Sequence, residues 1–178
     1  FFHAAVDEFA AWNTTDTINV SNHSYGRPGG WVSTADYSGN IGPHFVGYLD
    51  EGEDRYYGMY DQSAMEIDAL CYTNPYYLPF ISAGNERNNN APTSGTLFYY
   101  FDPNTDDWES ANYDPNVHPP ADYITRNGYE TITSRKLAKN IISVGALNDA
   151  VDSGSRDIAS GTQTSFSSWG PTDDGRIK

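Results

Sequence analysis

The stretch Ile81-Ser82-Ala83-Gly84-Asn85-Glu86 decides the predicted fold. It continues an apolar segment, residues 78–83, which predicts a short buried strand, and it passes through small residues to a polar amide. This order places Asn85 at the carboxyl end of a sheet strand, the edge where open α/β folds bind their ligands. An amide there can donate to an oxygen that gains negative charge. An asparagine after Ala-Gly is, however, more often a simple turn residue.

Helices and strands alternate around this stretch. Helical spacing of apolar residues predicts one helix on Phe2, Ala5, Phe9 and Trp12, and a second on Tyr60, Ala64, Ile67 and Cys71 with Leu70 beside them. Short strands are predicted at residues 17–20 and 140–147, with an extended segment at residues 165–171. The order helix, strand, helix, strand, insertion, strand predicts an α/β fold with a mostly parallel sheet.

The second helix carries two candidate N-terminal signals and the chain's one cysteine. Ser63 and Glu66 have the spacing of a capping box, while Asp61 is an alternative N-cap. Cys71 rules out an internal disulfide, and its place on the apolar face predicts a buried small side chain.

Two stretches lack this periodicity. Residues 31–58 mix Gly, Pro, Tyr and acidic residues, and we predict a loop there. Residues 86–134 are rich in Asn, Pro and Asp and contain the aromatic run at residues 98–101, which predicts an insertion with some strand content.

Length and charge limit the functions that are open to the chain. Its 178 residues predict one domain, and a net charge of −14 argues against binding to nucleic acid or to an anionic membrane surface. No apolar stretch approaches the roughly 20 residues of a spanning helix, and Phe1 does not open a signal peptide. The sequence is expected to be cut from a longer one. Its acidic composition, rich in Asn, Gly and Tyr, favours a secreted bacterial protein.

Residues 81–86 resemble the oxyanion-hole motif of the subtilase family of serine peptidases, and three more blocks agree in the same order. The segment at residues 18–26 is similar to the family's cleft strand ending in S-x-G. Residues 139–146 resemble its N-V-I-x-V-G-A strand, and residues 165–178 its F-S-S-x-G-P-T-x-D-G-R-I-K-P-D segment. The resemblance implies part of a three-layer α/β/α subtilisin-like fold, incomplete in this chain.

The resemblance also implies roles for particular residues. A protein or peptide substrate would pair as an extra strand with two backbone edges, which would flank the pocket for the residue before the scissile bond. Carried over to this sequence, the edges are Ser24, Tyr25 and Gly26 on one side and Ser82, Ala83 and Gly84 on the other. Asn85 would be the side-chain donor to the oxyanion.

The family's catalytic Asp and His are expected before Phe1 and its Ser after Lys178. We therefore predict that residues 1–178 are the central part of one peptidase domain and are inactive alone. Asp152-Ser153-Gly154 matches the family's D-S-G motif but stands in the wrong place, which favours an acidic turn, and His23 lacks the setting of the catalytic histidine, which favours a loop or subsite residue. An incomplete parallel sheet is also expected to associate with another copy or with the rest of its domain.

No cofactor is required by this chemistry. Because the family often binds calcium, the resemblance implies that the oxygen-rich loops at residues 148–157 and 102–107 can contribute structural calcium ligands, although such acidic loops are usually only solvated. Zinc is not expected, since Cys and His do not cluster.

Two other functions stay open. One is a non-catalytic, aromatic-rich module that binds carbohydrate or protein around residues 56–57, 76–77 and 98–101, although bunched aromatics more often form a core. The other is a degenerate subtilase domain retained as a scaffold. Catalytic Asp, His and Ser motifs on both sides of the chain would favour the peptidase over either alternative.

Overall fold

The computed structural model describes residues 19–35, 37–49, 56–119 and 127–178. The predicted helix on Phe2, Ala5, Phe9 and Trp12 and the first residues of the strand predicted at 17–20 lie outside the described residues. Within the described ranges the elements are, in chain order, β1 (Val20–His23), β2 (Trp31–Ala35), β3 (Gly42–Phe45), α1 (Gln62–Thr73), β4 (Leu78–Ser82), β5 (Leu97–Asp102), β6 (Asp107–Asn112), a 3-10 turn (Ser134–Leu137), β7 (Ile142–Val144), β8 (Val151–Asp152), β9 (Ser155–Arg156) and a second 3-10 turn (Ile158–Ser160).

The first sheet is parallel and has the strand order β1-β4-β7. In its register His23 lies opposite Ile81, and Ile81 lies opposite Ser143. Since β4 follows α1 directly in the chain, the helix and this sheet form the α/β unit that the alternation of elements predicts. The predicted α/β class with a mostly parallel sheet is therefore confirmed.

One face of this sheet is covered by α1. The helix buries Ala64, Ile67, Leu70 and Cys71, which pack in one cluster with residues in or just before β4 and in the segment before β7: Tyr77, Ile81, Ala138 and Ile141. This confirms the predicted apolar stripe. Cys71 is buried as predicted, and burial, together with the charge of Asp68, raises the pKa of its thiol to about 11.

The helix begins at the alternative cap rather than at the capping box. The carboxylate of Asp61 accepts a hydrogen bond of 3.0 Å from the backbone N–H of Ala64. This bond satisfies one of the amides that the first turn leaves without a helical partner.

The opposite face of the parallel sheet is apolar and exposed. Val20 pairs with Leu78, and Phe80 pairs with Ile142, so these side chains share that face. Val20 is 61% exposed and Ile142 is 41% exposed, and no described helix packs over them. A surface of this kind is where the predicted association would occur; the association itself stays a prediction.

A second sheet joins two distant parts of the chain in the order β2-β3-β5-β6. The pairs β2–β3 and β5–β6 are antiparallel, while β3 and β5 run parallel. Its core is aromatic: the indole of Trp31 lies 5.1 Å from the ring of Phe45, 5.0 Å from Phe98 and 5.3 Å from Tyr113. These contacts hold residues 31–45 against residues 97–113.

The loop predicted at residues 31–58 is therefore wrong where β2 and β3 form. A register shift between Val32 and Ala35 interrupts the period of two that marks a strand, and the partner strand β5 comes from far along the chain. The strand content predicted within residues 86–134 is confirmed by β5 and β6. Whether that stretch is an insertion stays a prediction.

The D-S-G sequence forms a hairpin turn. Asp152 ends β8, and Ser153 and Gly154 connect it to β9 with φ angles of 50° and 79°. Two positive φ angles in a two-residue connection are typical of tight hairpins. All three residues are exposed, so the predicted acidic turn is confirmed. In the described part of the chain, no helix is both long enough and apolar enough to cross a membrane.

Replacing the cap tests how α1 begins. We expect Asp61→Ala to lower the free energy of unfolding by about 1 kcal/mol, because an amide of the first turn loses its acceptor. Ser63→Ala is the matched control and should change it little. Chemical denaturation of both variants measures the difference, and equal losses would contradict the assignment of Asp61 as the cap.

Candidate functional site

The two predicted cleft segments leave the parallel sheet side by side. Because His23 pairs with Ile81, the chain leaves β1 beside the end of β4, and Gly26 and Gly84 both lie against the side chain of Lys136. The β4 segment is also held on its other side, where the N–H of Ala83 donates 2.9 Å to the carbonyl of Val144. The structure thus brings together the two backbone edges that the resemblance implies.

The two edges differ in exposure. Ser24 and Tyr25 are exposed, Tyr25 to 44%, whereas Ala83 is only 4% exposed. The edge at residues 24–26 is therefore open to solvent, whereas the edge at residues 82–84 contains the buried side chain of Ala83.

Asn85 lies immediately beyond the end of β4, as predicted from the sequence. The residue is exposed, so its side chain is not buried in the core. Its backbone N–H donates 2.7 Å to Oε2 of Glu86, and this hydrogen bond fixes the main chain at this position.

A buried carboxylate holds the loop around Asn85. Oε2 of Glu86 accepts both the Asn85 N–H and the hydroxyl of Ser168, the latter at 3.0 Å. The N–H of Glu86 donates back to the Ser168 Oγ at 3.1 Å, and the N–H of Ser168 donates to the Gly84 carbonyl at 3.0 Å. Residues 165–171, predicted as an extended segment, form no strand and instead clamp this loop.

Lys136 is a residue of this site that the sequence analysis missed. Its Nζ lies 3.5 Å from Oε2 of Glu86, and its side chain is 3% exposed. Burial lowers the pKa of the ammonium and the Arg135 charge adds to this effect, while the Glu86 carboxylate opposes it. The signal that could have found it is a basic pair, Arg135-Lys136, directly before an apolar strand in a strongly acidic chain.

The Lys136 side chain lies between the two predicted edges. A Cβ on Gly26 would stand 2.7 Å from Lys136 Cε, and a Cβ on Gly84 would stand 2.5 Å from its Nζ. Gly84 also has a φ of +113°, a conformation that other residues rarely adopt. Both glycines are therefore required for the lysine to reach its place.

The backbone around Lys136 is hydrogen-bonded both to the segment that follows β1 and to β7. The hydroxyl of Thr133 donates 2.8 Å to the carbonyl of Arg27, just beyond Gly26, and the hydroxyl of Ser143 on β7 donates 3.0 Å to the carbonyl of Lys136. Ser134 has a φ of 55°, which is strained for a residue other than glycine. The backbone conformation of the 3-10 turn that carries Lys136 is thus constrained by these contacts.

His23 is the last residue of β1 and is buried, rather than being a loop residue. Its Nε2 hydrogen-bonds with the hydroxyl of Ser21 at 2.7 Å, and its Nδ1 with the hydroxyl of Tyr25 at 3.1 Å. Burial lowers the pKa of its ring, and the positive charge of Arg135 adds to this. Both ring nitrogens are engaged in holding the exposed edge, which argues for a structural role.

A cavity of about 600 Å³ lies beside this region, not within it. Arg27, next to Gly26, and Ser134, two residues before Lys136, line it together with aromatic residues on the second sheet or in the loops beside it and with residues at the start of α1: Tyr37, Tyr48, Phe101, Trp108, Asp61 and Ser63. Residues 82–85 do not line it. The cavity therefore lies next to the exposed edge at residues 24–26, on the side of Arg27.

No metal site is formed by the described residues. Across residues 19–35, 37–49, 56–119 and 127–178, no group of three or more His, Cys, Asp or Glu side chains is placed to hold an ion. In the loop at residues 102–107, Asp102 instead accepts from the backbone and side chain of Asn104. Calcium binding stays a prediction.

These features describe an α/β protein in which Gly26, Gly84 and the buried Lys136 meet at the carboxyl edge of a parallel sheet. A family model described as the subtilase family, Peptidase_S8, matches residues 4–178. The chain belongs to the subtilase family, and at the level of that family its function is that of a serine peptidase acting on proteins or peptides. No curated protein and no solved structure matched the chain.

The hydroxyl of Ser168 gives a direct test of the clamp. We expect Ser168→Ala to lower the free energy of unfolding by about 1–3 kcal/mol, because it leaves buried groups of Glu86 with fewer partners. Ser165→Ala, at an exposed position of the same segment, should change it by much less. Denaturant titration of the two variants measures the contrast, and an equal effect would rule out a specific clamp.

Proposed function

We propose that residues 1–178 supply the oxyanion asparagine and the substrate-binding strands of a subtilisin-like serine endopeptidase. The seryl nucleophile, the histidine base and the aspartate that orients it lie outside residues 1–178 in this proposal, so the chain alone does not hydrolyse peptides. The observation that carries the proposal is the placement of exposed Asn85 just after β4, in a parallel sheet where the end of β4 lies beside the end of β1.

In this mechanism the substrate enters as an extended strand. Main-chain hydrogen bonds to residues 24–26 and 82–84 supply affinity, and the side chain before the scissile bond enters the space between them. The difference in exposure suits substrate binding, because the exposed edge at residues 24–26 can accept an incoming strand while the edge at residues 82–84, which contains buried Ala83, stays rigid. The pairing also sets the scissile carbonyl beyond Gly84, within reach of the next residue.

The chemistry is acyl transfer. The serine oxygen attacks the scissile carbonyl carbon while the histidine takes its proton, and the carbonyl oxygen becomes an oxyanion that accepts the Asn85 side-chain N–H. Collapse breaks the C–N bond, the amine leaves with the proton from histidine, and water then releases the acyl group. The Glu86 bond to the Asn85 main chain would keep the amide donor from moving during these steps.

A second candidate is a non-catalytic binding module, favoured by the aromatic lining of the cavity beside the cleft. The aromatic residues proposed for the binding module differ in their exposure to solvent. Phe98 is fully buried and Tyr57 and Tyr77 are nearly so, which places them in cores, whereas Tyr76 is 85% exposed. A scaffold without activity is the third outcome that the experiments below distinguish.

Labelling by a serine-directed fluorophosphonate tests the class of the enzyme. We expect the protein that contains residues 1–178 together with its flanking sequence on both sides to be labelled, and heat-denatured protein not to be. The measurement is in-gel fluorescence followed by mapping of the labelled peptide. Absence of labelling in a folded full-length protein would favour the scaffold or the binding module.

Asn85→Ala tests the oxyanion role in the same full-length protein. We expect kcat to fall about 100- to 1000-fold while KM changes little, because the donor is used mainly in the transition state. Asn88→Ala is the matched control, an exposed asparagine of the same loop, and should leave kcat unchanged. A loss of peptide binding with no loss of turnover would defeat the role assigned to Asn85.

A further inference from the structure

A buried ammonium lies in the space that the proposed function gives to the substrate side chain before the scissile bond. We propose that Lys136 selects an acidic side chain, Asp or Glu, at that position, with Glu86 holding the lysine in place. This inference rests on the proposed function, since it names the substrate class of the same cleft. Lys136 would be a specificity-determining residue that touches the substrate.

The first argument is geometric. The Lys136 side chain fills the gap between the two edges, with Cε against Gly26 and Nζ against Gly84. Neither glycine has a side chain that would cover the lysine, and beside Gly84 the ammonium shares its space with Oε2 of Glu86 and Oγ of Ser168. A large apolar or aromatic substrate side chain would have to displace the lysine, whereas a short one would meet its charged end.

The second argument concerns the hydrogen bonds of the ammonium. An ammonium has three N–H donors, and among the described residues it has one acceptor, Oε2 of Glu86, at a long 3.5 Å. That oxygen already accepts from Asn85 and Ser168 at shorter distances. A buried charge is costly unless it is paired and fully hydrogen-bonded. A substrate carboxylate would supply the acceptors that the protein does not.

The third argument is the local charge. Arg135 and Lys136 are neighbouring buried cations in a chain of net charge −14, and the carboxylates of Asp61 and Glu66 act on Arg135 whereas Glu86 faces Lys136. The guanidinium of Arg135 lies 5.5 Å from the ring centre of Tyr25 on the exposed edge. The 134–137 segment therefore places one cation near Tyr25 and a second between Gly26 and Gly84, although the overall field of the protein repels acidic peptides. Selection for an acidic residue must come from this pocket.

The test compares product-like peptides that differ only in their last side chain. Peptides of one sequence ending in Asp, Asn, Ala or Phe are bound to the full-length protein, and affinity is measured by fluorescence anisotropy. We expect the Asp peptide to bind about 10-fold or more tightly than the isosteric Asn peptide, because a buried charge pair is lost in the latter. Equal affinity, or a preference for Ala or Phe, would overturn the inference.

Lys136→Met should abolish the Asp-over-Asn ratio, and Lys139→Met is the matched control. Lys139 is an exposed lysine of the same segment and should leave the ratio unchanged. Because Lys136→Met leaves a buried carboxylate unpaired, Lys136→Met/Glu86→Gln removes both charges and is tested beside it. A ratio that survives in either folded variant would overturn the role of Lys136, and the wild-type ratio decides the question if neither variant folds.

Cleavage separates this inference from the proposed function. Internal peptides with the same four residues at the cleavage position are given to the full-length protein. Cleavage without an acidic preference would overturn the inference and keep the peptidase. Acid-selective binding without cleavage or labelling would overturn the peptidase and keep the acidic pocket, and no binding with no cleavage would overturn both.

Discussion

The carboxylate of Glu86 is the interaction on which the candidate site depends. One buried oxygen accepts the main-chain N–H of Asn85 and the hydroxyl of Ser168, and it faces the ammonium of Lys136. Three segments that are far apart in the chain, residues 84–87, 136 and 168, therefore meet at one acceptor. If the carboxylate were removed, the buried ammonium of Lys136 and the main-chain N–H of Asn85 would both lose their acceptor, and the buried charge is the costlier of the two to leave unpaired.

The buried ion pair of Lys136 and Glu86 is not an efficient way to stabilise a fold. Replacing a buried ion pair by apolar residues of similar volume is often neutral or stabilising, so Lys136 and Glu86 are poorly explained as a device for stability alone. The surroundings are also strained or restricted, since Ser134 has a positive φ and Gly84 permits no side chain. Strain and buried charge concentrated at one sheet edge are typical of a functional site rather than of a core.

The local parts of the fold could be predicted because their signals are local. The stripe of α1, the strand at the end of which Ser82 lies and the acidic turn at Asp152-Ser153-Gly154 each follow from residues within one turn or one strand of each other, whereas the sequence left two candidate caps for α1 and the structure selects Asp61. The second sheet could not be predicted in the same way. Trp31 and Phe45 acquire their strand only by packing on Phe98 and Tyr113, which are more than 50 residues away in the chain. A register shift hides the alternation that would have marked β2.

The sequence alone determined the α/β class, the position of Asn85 after a buried strand and, through four collinear blocks, the family to which the chain belongs. Only the tertiary structure decided that Lys136 lies between Gly26 and Gly84, and that Ser168 clamps the loop of Asn85. The physical reason is that strand periodicity and motif spacing are properties of neighbouring residues. The pairing of buried charges cannot be predicted in this way, because it depends on which distant segments of the chain come together in the low-dielectric interior.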